Sequence, residues 1–308
     1  MKLDNVLVLG GSGFVGRHLV AALAADGLRV TVPTRHRERA KHLLPLPTVE
    51  LIETDVMAPG ALEALARGRQ AVINLIGILH GNFERAHIEL PRAVVAACRA
   101  QGVGRLLHMS ALGASASAPS AYLRSKAIGE KAVLDAPDLA VTVFRPSVIF
   151  GPEDSFLNTF AALARLFPVL PIACPEARFQ PVYVTDVVHA MAGSLDEPDT
   201  HGKLYQLCGP RQYTLKELVE FVCQITGRHR AVLGLPERLS YLQAFVMEKL
   251  PGKLITRDNL RSMQVPSVCS GSFPFGIQPE ALEAAAPAYL APTSPRERYP
   301  QLRWRARR

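Results

Sequence analysis

The 308-residue chain is 48% apolar and 20% charged, ample for one large core or two smaller ones. Its longest apolar runs, such as AVTVF at 140–144, fall far short of a bilayer span, and the start MKLDNVLVLGG lacks the shape of a signal peptide. Much of the net charge of +8 sits in TSPRERYPQLRWRARR (293–308), with six arginines and one glutamate, which is a basic tail and not the basic body that nucleic-acid binding needs.

In chain order, NVLVL (5–9) reads as a short buried strand, and FVGRHLVAALAAD (14–26) as a helix stopped by Gly27. LRVTV (28–32), VELIE (49–53), AVINL (71–75), RLLHM (105–109) and AVTVF (140–144) read as further strands. Helical stretches fall between them, notably ERAHIELPRAVVAACRAQG (84–102), despite Pro91. Such alternation predicts an α/β fold, a doubly wound parallel sheet of the Rossmann type.

Beyond residue 150 the pattern loosens. SFLNTFAALARLF (155–167) and TDVVHAMAGSL (185–195, opened by a Thr/Asp cap) read as helices, and KLYQLCG (203–209) as one more strand. TLKELVEFVCQITG (214–227) carries a capping box, Thr214 with Glu217. The expected division is a dinucleotide domain, 1–150 plus about 180–209, and a smaller, mostly helical C-terminal lobe, about 151–179 plus 210–292. LSYLQAFVMEKLPGK (239–253) is an amphipathic helix with two readings, packing of that lobe or a shallow membrane or partner surface. The tail likewise reads as a solvated terminus or as a contact with anionic lipid or an acidic partner, with Trp304 at the interface. Five scattered cysteines (98, 174, 208, 223, 269) without a CxxC pair are expected as reduced thiols of a cytoplasmic protein, peripheral at most on the inner face of a membrane. The nine histidines show no metal-ligand spacing, so no metal is expected.

GGSGFVG (10–16) follows the first strand and opens the first helix. Gly10 permits the tight turn, Gly13 lets a pyrophosphate approach, and Gly16 lets the helix pack close. The free N–H groups at Phe14 and Val15 would hold the anion. No acid occurs from residue 28 to 37, where an NAD site places one, and Arg35 stands there after Thr34. A guanidinium grips a 2′-phosphate, so NADP(H) is expected over NAD(H). Asp55 and Val56 would flank the adenine, although an aspartate after a strand is equally a helix cap. Leu75, Ile76 and Gly77, after Asn74, would line the ribose side. Tyr122 and Lys126, four apart on one helical face, read as a phenol whose pKa the ammonium lowers for proton exchange with a substrate oxygen. The same lysine would bond the nicotinamide ribose.

With these motifs the chain resembles the extended short-chain dehydrogenase/reductases, the superfamily of NAD-dependent epimerases and dehydratases. FRPSVIFGPED (144–154) is similar to that group's RPxxVYGP segment, which implies backbone contacts to the carboxamide near Pro146 and Ser147. FQPVYVTDVVHA (179–190) is similar to its segment tying the two lobes together. VINLIGIL (72–79), HMSALGA (108–114), YLRSKAIGE (122–130), RPSVIFGPEDSFLNTFA (145–161), QPVYVTDV (180–187), KLITRDNLRSMQVPSV (253–268) and FGIQPEALE (275–283) resemble the atypical branch that holds the NADPH-binding accessory subunit of respiratory complex I and its bacterial relatives. That branch implies a bound NADPH without an assigned substrate, and a link to complex I assembly or ubiquinone metabolism. Catalytic members of the superfamily end the fifth strand with two hydroxyl residues; here Ser110 fills the first place and Ala111 the second. A missing donor to a developing oxyanion implies chemistry slower by ~10²–10³.

Three functions therefore stand. The first is an NADP(H)-binding reductase-like protein of quinone or respiratory metabolism. The second is an active NADP-dependent oxidoreductase or epimerase on a small carbonyl or quinone-like compound. The third is a non-catalytic scaffold of a membrane-associated complex. Arg145 and Arg178 are the candidates for an anionic substrate, with Arg145 expected to pair inside the fold.

Overall fold

The computed structural model describes residues 3–249 and 254–291. The basic tail with Trp304, and the end of the 239–253 segment, lie outside the described residues.

Strands β1 (Asn5–Leu9), β2 (Arg29–Thr34), β3 (Val49–Glu53), β4 (Ala71–Asn74), β5 (Arg105–Met109), β6 (Ala140–Pro146) and the edge strand Lys203–Leu207 form one parallel sheet. The order across it is Lys203–Leu207, β6, β5, β4, β1, β2, β3. Sequential order reverses between β1 and β4, the switch point at which doubly wound sheets open a ligand crevice.

Alternation along each strand divides the core. Val6 and Val8 face helices α1 (Phe14–Ala25) and α6 (Val184–Gly193), and pack on Leu19, Leu23, Val187 and Met191. Leu7 and Leu9 face the other way, toward α2 (Ala61–Ala66), α3 (Leu90–Gln101) and α4 (Ala121–Leu134), and pack on Leu62, Val94 and Val133. Both faces are covered at the centre, so β1 and β4 are near-continuous buried runs, while the edge strands β3 and Lys203–Leu207 carry exposed polar residues.

Helices α5 (Leu157–Leu166) and α7 (Leu215–Ile225) build a second core with Phe150, Leu218 and Leu282. The capping box at Thr214 forms as expected, with Glu217 N–H donating to Thr214 Oγ1 at 3.1 Å and Thr214 N–H to Glu217 Oε2 at 2.7 Å. The expected Thr/Asp cap of α6 does not form. That helix starts at Val184 after Tyr183, and Asp186 instead accepts from Glu280 N–H at 2.8 Å, tying the C-terminal chain to the sheet domain's helix. In α8 (Glu237–Met247) the small residues Ser240 and Ala244 face inward, while Leu239, Leu242, Phe245 and Val246 are exposed. The short helix α9 (Arg257–Met263) follows. Among the described residues no helix is long and apolar enough to cross a membrane.

The helical stretch expected at 84–102 forms, but not as a single α-helix: Arg85–Glu89 is a π-helical turn that runs without a break into α3, and Pro91 lies just past the change of register. One expectation needs correction, for the cysteines are not all reduced. Cys208 and Cys269 form a disulfide across 61 residues, because hydrogen bonds from Cys269 N–H to Gln180 Oε1 and from Gln180 Nε2 to Gly209 O dock the late segment beside the edge strand. Cys98, Cys174 and Cys223 are free. Reduction is expected to destabilise the protein by about 2–4 kcal/mol, through the regained freedom of that loop in the unfolded chain. Denaturation curves with and without dithiothreitol, against Cys269→Ser, measure it; coincident curves would refute a structural bond.

Candidate dinucleotide and carbonyl site

The turn after β1 has the geometry that its glycines predict. Gly10 has φ +81° and a side chain there would crowd Ile76 N at 3.2 Å; a Cβ on Gly16 would lie 2.2 Å from Gly10 O. The loop and the start of α1 are therefore pressed together, and only glycine allows it. Gly13 caps α1 through its carbonyl, and the N–H groups of Phe14 and Val15 have no partner within the helix. At the far side of β2, Thr34 is buried and Arg35 is exposed, with no ion pair among the described residues. Asp55 does not cap a helix, because α2 begins after Gly60. It accepts from Met57 N–H at 3.0 Å and pairs with Arg85 at 3.1 Å, with Val56 half-buried beside it.

Beyond β4, Asn74 is buried and holds the chain in place, accepting from Ile76 N–H at 3.1 Å. Leu75 and Ile76 are half-buried, and Gly77 is exposed with a would-be Cβ 3.0 Å from Lys126 Nζ. The lysine thus reaches the segment predicted to line the ribose. Lys126 is 4% exposed and donates to Met109 O at 3.1 Å. Burial pushes its ammonium down to about 8, and the nearby Glu130 opposes that shift. Glu130 is itself gripped by Arg145, at 2.7 and 2.5 Å, so Arg145 pairs inside the fold as expected. Arg178 is exposed on a two-residue strand paired with Tyr213–Thr214.

The expectation for Tyr122 is corrected. Burial pushes its phenol up to about 12, so without a bound ligand it is a protonated donor and not a phenolate. Its hydroxyl makes no hydrogen bond among the described residues. Ser110 is 4% exposed, its N–H bonds Phe144 O at 2.8 Å, and its hydroxyl is buried without a partner. A buried orphan hydroxyl is costly unless something completes it. Ala111 packs with Ala118, Leu123, Tyr122 and Val265, so the place of the second hydroxyl is apolar. Pro146 is buried at the end of β6, and its carbonyl accepts from Leu112 N–H at 3.0 Å.

Sequence reasoning passes over several neighbours. His87, in the π turn, accepts from Ile78 N–H through Nε2 at 3.0 Å, so its proton lies on Nδ1, which donates to Ser125 Oγ at 2.9 Å. Ser125 Oγ in turn donates to Tyr122 O at 2.8 Å. The His87 ring lies edge-on to Tyr122, with Phe83 against both. Burial and the Lys126 ammonium hold His87 and His108 down to about 3, so both imidazoles are neutral. No local spacing announces this cluster; the proximity of His87 to Ser125 spans 38 residues.

A parallel sheet in Rossmann order, a glycine turn at its switch point and a Tyr-x-x-x-Lys helix after β5 define a dinucleotide-binding protein of the short-chain dehydrogenase type. The chain belongs to the NAD dependent epimerase/dehydratase family, which it matches over residues 6–208. It is 33% identical over 299 residues to subunit 9 of the NADH dehydrogenase [ubiquinone] 1 alpha subcomplex of Mus musculus, across 90% of this chain and 77% of that one. It is 32% identical over 238 residues to a ceramide reductase of Caulobacter vibrioides, across 75% and 74% of the two chains. Among solved structures, gox2253 superposes with a TM-score of 0.72 over 93% of this chain and 96% of that one, at 22% identity. MoeE5 with UDP-glucose and NAD gives 0.63 over 77% and 87%, at 21%. These two likenesses are of fold.

Proposed function

We propose that the chain is an NADP(H)-binding, reductase-like protein of quinone or respiratory-chain metabolism, with a complete cofactor cradle and a substrate side short of one donor. The observation that carries this reading is the buried, partnerless hydroxyl of Ser110 at the end of β5, followed by apolar Ala111, whose cluster packs against Tyr122. In this reading Gly10, Gly13, Phe14, Val15 and Gly16 hold the pyrophosphate, Thr34 and Arg35 the 2′-phosphate, Asp55 and Val56 the adenine, and Leu75, Ile76, Gly77, Lys126 and Pro146 the nicotinamide half. The dinucleotide would supply the hydride. Tyr122, held protonated, would give a proton to a carbonyl oxygen, and Ser110 would hold that oxygen. Resemblance to the complex I subunit supports the respiratory link, and the exposed apolar residues of α8 suit contact with a lipid surface or a partner subunit.

The test is titration with NADPH and NADH, followed by nicotinamide fluorescence. NADPH should bind more tightly, and Arg35→Ala should lose about 10- to 100-fold for NADPH alone. Equal affinities in both proteins would overturn the NADP preference, and no binding at all would leave the scaffold reading. A second reading, active reduction of a carbonyl compound, is favoured by the protonated Tyr122 and by the ceramide reductase likeness. Consumption of NADPH with ketone substrates, lost in Tyr122→Phe, separates the two.

A further inference from the structure

Helix α4 carries Tyr122 in its first turn, and three N–H groups there lie outside the intrahelical ladder. Leu123 N–H donates to Ser120 Oγ at 3.2 Å. The other two donate to a single carboxylate from 136 residues further along: Ala121 N–H to Asp258 Oδ1 at 2.8 Å, and Tyr122 N–H to Oδ2 at 3.0 Å. Every orphan donor of the turn is thereby satisfied, and two of the three by one side chain.

Asp258 suits the task. It stands in the first turn of α9, whose own start is closed by the Thr256–Asn259 capping box. Its carboxylate is thus free of local duty, makes no ion pair among the described residues, and lies near the positive ends of two helices. The chain after α9 continues over the same side of the site. Val265 packs on Ala111, Ala118 and Leu123, and comes so close to Gly113 (φ +78°) that a Cβ there would meet it at 3.1 Å. Ser267 O then accepts from Ser147 Oγ at 2.8 Å, one residue past Pro146. Residues 256–267 therefore run as a strap from the backbone of Tyr122 to the strand end that would face the carboxamide.

We propose that Asp258 is a positioning residue for Tyr122. Bidentate, charge-assisted bonds to the first two amides of α4 fix the height and tilt of the turn that carries the phenol, so occupancy of the nicotinamide half depends on the C-terminal strap. Asp258 touches neither cofactor nor substrate in this account; it acts through the main chain of Tyr122. The inference rests on the cofactor reading above for its consequence, but not for its geometry.

The test compares Asp258→Ala and Asp258→Asn with the wild type, using NADPH and its nicotinamide-free fragment, 2′-phospho-ADP-ribose. Amide hydrogen exchange is followed in the peptide spanning Ala121–Leu123. Asp258→Ala should weaken NADPH about tenfold, as loss of a strong cap implies. It should leave the fragment within about twofold, since the adenine half is remote from the change. Exchange at the start of α4 should quicken by about tenfold. Asp258→Asn, which keeps one acceptor oxygen, should recover part of both effects. Equal weakening of NADPH and fragment would mean general destabilisation and overturn the proposal, as would unchanged NADPH affinity. If Asp258→Ala does not fold, Asp258→Asn decides by the same comparison. If the wild type binds neither ligand, the cofactor reading falls, and exchange alone judges Asp258: unaltered exchange refutes it.

Discussion

Lys126→Met is expected to weaken NADPH by about 10- to 100-fold while making the ligand-free protein more stable at neutral pH. The opposite signs have one cause. The Lys126 ammonium is buried with only a carbonyl as direct partner, and its pKa falls from 10.5 to about 8. Between those two values the unfolded chain holds more protons than the native one, so the native state gains stability as pH rises through that window. Below about pH 8 the burial penalty is fully present, on the order of 3 kcal/mol. Methionine removes it, offset in part by the lost bond to Met109 O, for a net gain of about 1–2 kcal/mol. The gain should shrink as pH rises from 8 to above 10. Wild-type NADPH binding should decline above about pH 8 as the ammonium is lost, and the variant's should stay flat. Thermal melts and fluorescence titrations from pH 6 to 10 measure both. A variant that binds and melts like the wild type at every pH would remove Lys126 from the site.

Gly129→Ala should be the most damaging single-methyl change near the site. A Cβ at that position would lie 1.9 Å from His87 O and 3.1 Å from Pro91 Cγ. The obstacle is main chain, so no rotamer relieves it. Either α4 shifts or the π turn Arg85–Glu89 unwinds, and both pull His87 away from Ser125. The expected loss is about 3 kcal/mol or more in chemical denaturation, with reduced NADPH binding in whatever remains folded. Gly193→Ala, where a Cβ meets nothing within 4 Å, serves as the control and should be close to neutral. Equal midpoints for the two variants would show that the π turn yields easily.

The contrast between these two residues shows what could be read from sequence. Lys126 is legible because its partner Tyr122 is four residues away on one helical face, and the glycine turn is legible because strand, turn and helix are contiguous. The strands at 5–9, 49–53 and 105–109 emerge with their ends intact; the first and last are buried nearly throughout, and the edge strand 49–53 is marked by Val, Leu and Ile between exposed glutamates. Gly129 carries no such signal, for a glycine inside AYLRSKAIGEKAVL reads merely as a weak point of a helix. Its reason is a carbonyl brought in by the π turn, and the extra residue of that turn leaves no mark on an ERAHIEL pattern. Asp258 is hidden for another reason: TRDN accounts for itself as a local helix start, so nothing prompts a search for a second helix served by the same carboxylate. Four-residue spacing gives proximity in sequence but not depth of burial, and burial decides the sign of the shift of the Tyr122 phenol. The disulfide leaves no mark in the sequence, because only the folded path of Gln180 brings Cys269 to Cys208.

That disulfide has a topological consequence. It closes the chain into a covalent ring containing α7, α8 and α9, and therefore the strap that ends on Tyr122. A single proteolytic nick anywhere inside the ring leaves one molecule in oxidising surroundings and two fragments in reducing ones. For a nick between Cys208 and Asp258, whether the cut chain still keeps Asp258 linked covalently to α4 is then decided by the thiol chemistry around the protein, independently of any change in its sequence.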